Sequence, residues 1–307
     1  MKITKAVKKI LDQYDSDSPG VKTNLAKILM SGSLGGTGKM VILPVDQGFE
    51  HGPERSFLKN PDGYDPHYHF QLAIDGKLNA YAAPLGMLEA GADTFAGSVP
   101  LILKINSSNS LTASDESPHQ AITASVKDAL RLGCSAVGYT IYPGSNCFNE
   151  MVSDLRELIA EAREYGLASV VWSYPRGEGI SKQGETAIDI ISYGAHMAAL
   201  IGAHIIKVKP PIDYIEKGEA KKIMKEMNLS TATLAERIAI VKRSCFNGRK
   251  LIVFSGGAAK TDVELLQEVS EIVKGGGDGS IVGRNAFQRK KEDALTLLNQ
   301  IKRIFDK

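Results

Sequence analysis

Cysteine is scarce in this chain. Cys134, Cys147 and Cys245 are odd in number and far apart, which argues against a disulfide framework or a CxxC metal site and fits a reducing, cytoplasmic setting. An excess of one charge is also lacking. With 37 Lys and Arg against 35 Asp and Glu, the formal net charge is only +2, and the lysines are scattered among acids with no basic stripe. No nucleic acid or other polyanion is implied as a partner. No stretch approaches the ~20 apolar residues that span a bilayer, and MKITKAVKKILDQY at the start has lysines spaced through an apolar helical pattern. It reads as an amphipathic helix that packs on the core or on another subunit, and no membrane partner is expected. Histidine ligand motifs are missing as well. There is no HExxH, and His67 and His69 have no third ligand nearby, so neither a metal nor another cofactor is expected. Of the glycine-rich tracts, SGSLGGTGKM resembles a P-loop only superficially, because Met40 follows Lys39 where Ser or Thr is required and the tract precedes a strand; KGGGDGS lacks the GxGxxG spacing.

What is present is a rhythm. The 307 residues, 43% hydrophobic, are enough for a large core and read as one domain over 1–307, with 1–38 as an N-terminal helical extension. After a SPG turn at 18–20 and a second short helix, TNLAKILMSG, short apolar runs alternate with amphipathic stretches. The expected strands are 40–45, 93–97, 101–106, 135–141, 168–173, 204–209, 251–255 and 279–283. Helical patterns such as HQAITASVKDALRLG, NEMVSDLRELIAEAREYG and TDVELLQEVSEIVKGG lie between them, several ending in Gly. Strands alternating with helices make a parallel sheet with right-handed crossovers. Eight such units predict an α/β fold of the (β/α)8 TIM-barrel type, with an open doubly wound sheet as the alternative. In such a barrel the chemistry sits where strands end.

The strand ends carry the motifs. Strand one runs into VDQGFEHGP, whose Asp46 terminates it; Glu50 and His51 lie further out and equally suit loop hydrogen bonding. Strand five runs into WSYPRG, with Trp172, the only tryptophan, beside Tyr174 and Arg176. By position alone, Tyr174 suits either core packing or acid/base work, and Arg176 suits an anion. Strand seven ends in FSGGAAKTD and strand eight in VGRNAFQR. Small residues with free backbone N–H groups at both points suit a phosphate, with Ser255, Gly256, Gly257, Gly283 and Arg284 as candidates.

HIIKVKPP, 204–211, puts two lysines into an otherwise apolar strand. At period two, Lys207 and Lys209 share one face. An amine beside a phosphate site can condense with a ketone, giving an iminium that stabilises an adjacent carbanion. Only ~0.04% of an ordinary lysine is neutral at pH 7. Burial and a second cation that lower its pKa to ~7–8 raise that share to ~10–50%. Lys104 or the partner lysine would be that cation, and periodicity does not choose between Lys207 and Lys209. The competing reading, a structural ion pair with an acid such as Asp46, has to find two counter-charges.

In order and over nearly the whole length, VDQGFEHGP, WSYPRGEG, HIIKVK, VFSGGAAK and IVGRNAFQR resemble the archaeal-type class I fructose-bisphosphate aldolases. SPGVKTNLAKIL and the long strand-one loop resemble the bacterial subgroup in particular. The resemblance implies that Lys207 is the Schiff-base nucleophile, Tyr174 the general acid/base, and Asp46 the carboxylate that orients substrate. It further implies a phosphate held by Ser255, Gly256, Gly257, Gly283 and Arg284, a pocket shaped by Trp172, and a second phosphate near Arg176. The implied substrate is a phosphorylated sugar, cleaved without a cofactor by a cytoplasmic homo-oligomer. Alternatives are a related Schiff-base enzyme or thiolase acting on another phosphorylated ketose, or a non-catalytic sugar-phosphate-binding barrel.

Overall fold

The computed structural model describes residues 2–111, 116–255 and 261–306. Each apolar run is too short to bury itself and takes its hydrogen bonds from a parallel neighbour, with the intervening helix packed outside. Eight strands do this: β1 (Met40–Pro44), β2 (Ala80–Pro84), β3 (Leu101–Lys104), β4 (Ala136–Ile141), β5 (Ala168–Ser173), β6 (Ile205–Val208), β7 (Leu251–Phe254) and β8 (Gly279–Ile281). All pair in parallel in chain order, and β1 pairs with both β2 and β8, so the sheet closes into a barrel without a free edge. The open-sheet alternative is excluded.

Side chains alternate between two layers. Ile206 and Val208 join the layer under the outer helices, whereas Ile205 lies inside the barrel with Ile102, Val170, Trp172 and Val253. Lys207 follows the inward phase of Ile205, with Trp172 beside it on β5 and Val253 on β7.

The second strand differs from expectation. Residues 93–97 form turns, and AYAAP at Ala80–Pro84 is the strand. It contains no β-branched residue, so its composition does not announce it. Small Ala80 and Ala82 suit the crowded interior, while Tyr81 packs outward against Phe70 with ring centroids 4.8 Å apart. The segment between β1 and β2 is not a plain loop but carries helices, including Pro66–Asp75. The helix expected from HQAITASVKDALRLG is confined to Val126–Arg131, because Ser125 and Asp128 form a capping box that starts it late. The preceding Ala121–Ile122 pairs instead with Asn106–Ser107 in a small antiparallel hairpin.

Two helices precede the barrel, α1 (Lys5–Leu11) and α2 (Pro19–Met30). The SPG segment is a helix start and not a turn: Ser18 caps Val21 N–H and Pro19 occupies the first position. Val7, Leu11, Tyr14, Val21, Leu25 and Ile28 are buried in the same cluster as Met40, Ala80, Ala168 and Leu251 at the strand starts. The helices therefore close the N-terminal floor of the barrel. Polar contacts fix them there: Tyr14 Oη donates to His204 O (2.6 Å), and Asp17 lies 3.0 Å from His204 Nε2. Since His204 Nδ1 accepts the Ser169 N–H at 2.9 Å, Nε2 carries the proton shared with Asp17. The mouth lies at the opposite end.

Candidate active site

A cavity of ≈ 790 Å³ opens at the C-terminal ends of the strands. Asp46, Trp172, Tyr174, Arg176, Lys207, Ser255, Gly283 and Arg284 all line it, so every expected site residue that lies among the described ones converges on one space. Gly256 and Gly257 lie outside the described residues. The rim also takes in Gln47, Glu50, His51 and Lys209.

Lys207 is the least exposed charged-type side chain in the cavity, at 4%. Its Nζ sits 4.2 Å from the centroid of the Tyr174 ring, and among the described residues no hydrogen bond or ion pair holds it. Burial is the main cause that pulls its pKa from 10.5 down to about 7. Asp46 and Glu50 oppose the fall, whereas Lys209 and Arg284 add to it. The second cation beside Lys207 is therefore Lys209. Lys104, the other candidate, is committed elsewhere: its Nζ donates to Asn106 Oδ1 (2.7 Å) and to the Asn106 carbonyl, below the Trp172 ring. Burial also brings Lys104 down, to about 8.

Lys209 stands one residue past the end of β6. Its Nζ lies 5.9 Å from the Tyr174 ring and 3.6 Å from Glu185 Oε2. Of the two lysines in HIIKVKPP, Lys209 has a carboxylate partner and Lys207, among the described residues, has none. Sequence reading missed Glu185, because it belongs to a turn, Gly184–Thr186, in the loop after β5.

Trp172 is 2% exposed and faces inward because Gly138 on β4 leaves room for it. A Cβ at Gly138 would lie 2.4 Å from Trp172 Cζ3. Tyr174 leaves the end of β5 with its N–H bonded to Ile141 O at 3.0 Å, which directs the ring over Lys207. Arg176 stacks over Tyr142 at 4.5 Å and reaches Glu50 Oε1 at 3.4 Å. Asp46 precedes the short helix Gln47–His51 without capping it through its side chain, so the carboxylate stays available to the cavity. Ser255 follows β7, and Gly283 and Arg284 follow β8, where the short helix Arg284–Phe287 begins. The site thus combines a buried amine, a phenol against it, a carboxylate and several cations. That combination suits attack on a carbonyl of an anionic molecule.

The remaining histidines of interest are used structurally. His67 Nε2 bonds to Ala90 O and His69 Nε2 to Gly63 O, each at 2.8 Å. Among the described residues, no group of three or more His, Cys, Asp or Glu side chains is arranged to hold a metal ion.

Comparison with known proteins gives a consistent family. The model of DeoC/LacD family aldolases matches residues 40–289. A Thermoproteus tenax protein named fructose-bisphosphate aldolase class 1 is 38% identical over 259 residues, covering 84% of this chain and 86% of that protein. A Chlamydia muridarum protein named "Probable fructose-bisphosphate aldolase class 1" is 34% identical over 299 residues, covering 93% of this chain and 84% of that protein. A solved archaeal fructose-1,6-bisphosphate aldolase, its catalytic lysine covalently bound to the carbinolamine intermediate of the substrate, superposes with a TM-score of 0.75. It is 33% identical, covering 91% of this chain and 98% of its own. The chain belongs to the DeoC/LacD family of aldolases.

Proposed function

We propose that the chain is a class I, Schiff-base fructose-bisphosphate aldolase, which reversibly cleaves fructose 1,6-bisphosphate to dihydroxyacetone phosphate and glyceraldehyde 3-phosphate. The observation that carries this reading is Lys207: a buried amine with a pKa of about 7, unpaired among the described residues, beneath a tyrosine ring in a cavity lined with cations.

The lone pair of neutral Lys207 Nζ attacks the C2 ketone, and loss of water from the carbinolamine leaves an iminium. A proton then leaves the C4 hydroxyl. The C3–C4 bond breaks, its electrons flow into the iminium, glyceraldehyde 3-phosphate departs and an enamine remains on Lys207. The Tyr174 hydroxyl protonates that enamine at C3, and water returns to release dihydroxyacetone phosphate and the free amine. Asp46, close enough to favour the charged form of Lys207, orients the substrate and assists these proton transfers. Trp172 forms the wall against which the sugar is held. One phosphate is assigned to Ser255, Gly283 and Arg284, with Gly256 and Gly257 of the same expected segment; the other is assigned to Arg176.

The same reading places the enzyme in glycolysis and gluconeogenesis as a cytoplasmic homo-oligomer. Sparse, unpaired cysteines support the compartment, and the exposed Tyr193 and Leu200 on the helix Ile188–Ile201 support subunit contacts.

A steady-state assay of the purified protein tests the substrate. Fructose 1,6-bisphosphate yields both triose phosphates, and Lys207→Met abolishes the yield. Absence of triose phosphates from the wild type overturns the proposal.

A further inference from the structure

Lys207 and Lys209 are the same side chain in one cavity, so their surroundings decide which of them keeps its proton. The wall beside them is built from the loops after β5 and β6, which are stitched together. Ile212 N donates to Thr186 O and Ile188 N to Tyr214 O, both at 2.9 Å. Ser181 donates to Glu216 through both its N–H and its hydroxyl, at 2.8 Å each. Asp189 accepts the N–H groups of Glu216 and Lys217, at 2.9 Å each. These bonds hold the turn Gly184–Thr186 against the segment that follows β6.

Glu185 is fixed in that turn. Its side chain is 15% exposed, with Lys209 Nζ 3.6 Å away and the exposed Lys182 Nζ 2.9 Å away. The other charged groups acting on Lys209 are Arg176 from the end of β5 and Lys182 from the loop after β5. Facing Lys207 are Asp46 and Glu50 from the loop after β1, Arg284 from the loop after β8, and Lys209 itself.

We propose that Glu185 is a positioning residue that fixes the proton on Lys209 and thereby leaves Lys207 as the free amine. The inference rests on the Schiff-base reading given above. Glu185 acts through Lys209 and is assigned no contact with substrate. An opposite charge at this distance favours the protonated lysine, and among the described residues Lys207 has no carboxylate so placed. Burial pulls the Lys209 pKa down, and Glu185 is the largest influence opposing that fall. Lys209 then stands as the protonated neighbour of Lys207. Without Glu185 the two amines compete for one proton, and the form with a neutral Lys207 and a charged Lys209 is depleted.

Competitive acylation of the substrate-free enzyme with trace acetic anhydride across a pH series, read by peptide mass spectrometry, gives each lysine its own titration midpoint. In the wild type the Lys209 midpoint lies above that of Lys207. In Glu185→Gln it falls by about one pH unit or more, and the gap between the two narrows. Glu185→Asp keeps the charge on a shorter arm and recovers part of the gap; if the glutamine variant fails to fold, the aspartate variant still shows a smaller narrowing. A gap that is the same in every folded variant as in the wild type, or a Lys209 midpoint that rises, overturns the assignment. Borohydride trapping with dihydroxyacetone phosphate on the same preparations separates the two levels. No adduct on the wild type removes the Schiff-base reading, whereas a Lys207 adduct with an unchanged gap removes only the role of Glu185.

Discussion

Replacing Lys209 with methionine removes the cation beside Lys207 while keeping an unbranched side chain of similar length. Lys207 and Lys209 Nζ lie 4.2 Å and 5.9 Å from the same Tyr174 ring centroid, so they are at most about 10 Å apart. At an effective dielectric of ~20, two unit charges at ~10 Å repel by ~1.7 kcal/mol. Partial exposure of Lys209 and its pairing with Glu185 reduce that figure, leaving about one pH unit. The Lys207 pKa in the variant therefore rises from about 7 toward ~8. Only the neutral amine attacks, so at pH ~6 the competent fraction drops from ~10% to ~1%, about tenfold in kcat/KM, while at pH ~9 it changes by only ~10%. The assay is kcat/KM for fructose 1,6-bisphosphate across pH, because that ratio titrates the free enzyme. An acid limb that moves up in the variant bears out the reasoning. An equal loss at every pH would instead mean that Lys209 binds substrate without tuning Lys207, and an unmoved limb with no loss would refute any coupling.

The buried amine of Lys207 burdens the fold. With a folded pKa of about 7 and an ordinary value of 10.5, the unfolded chain holds the extra proton between those limits, so this group makes wild-type stability rise with pH across that window. Lys207→Met lacks the burden and should be more stable than wild type below pH ~7 by ~2–5 kcal/mol, the advantage shrinking toward pH ~10, as read by urea unfolding at acidic and alkaline pH. Tyr174→Phe should lower kcat by ~10²–10⁴ while borohydride still traps substrate on Lys207, because the phenol is assigned to protonation and not to attack; an unchanged kcat would remove that role. Gly138→Ala drives a methyl group to 2.4 Å from the Trp172 ring and should destabilise the barrel by ~1–3 kcal/mol. As Trp172 is the only tryptophan, a shifted emission spectrum reports the displacement directly, and an unchanged spectrum contradicts the packing.

Much of the site was legible because strand periodicity and strand position both survive in sequence. Ile206 and Val208 against Lys207 sets the inward face of β6 with no structural input, and Asp46, Tyr174, Ser255 and Gly283 are found at once if strand ends are where chemistry sits. Among the strands, one was misplaced. AYAAP hides because the barrel interior asks for small residues at Ala80 and Ala82, and alanine carries no strand signal. The floor was half visible: α1 announced an apolar face, but its target is a ring of strand starts that only the closed fold assembles. Glu185 was invisible for a similar reason. It meets Lys209 only because two loops are stitched side by side, and no local pattern relates a turn after β5 to the end of β6. The choice between Lys207 and Lys209 needed that contact or a family resemblance; periodicity treats them alike.

The proposed mechanism requires that Lys207 form a covalent imine with the substrate. Wild-type protein incubated with dihydroxyacetone phosphate and borohydride, digested and sequenced by mass spectrometry, tests it most directly. The expected result is one reduced adduct, on Lys207, that disappears in Lys207→Met. An adduct confined to Lys209, or none on an enzyme that cleaves fructose 1,6-bisphosphate, would contradict it.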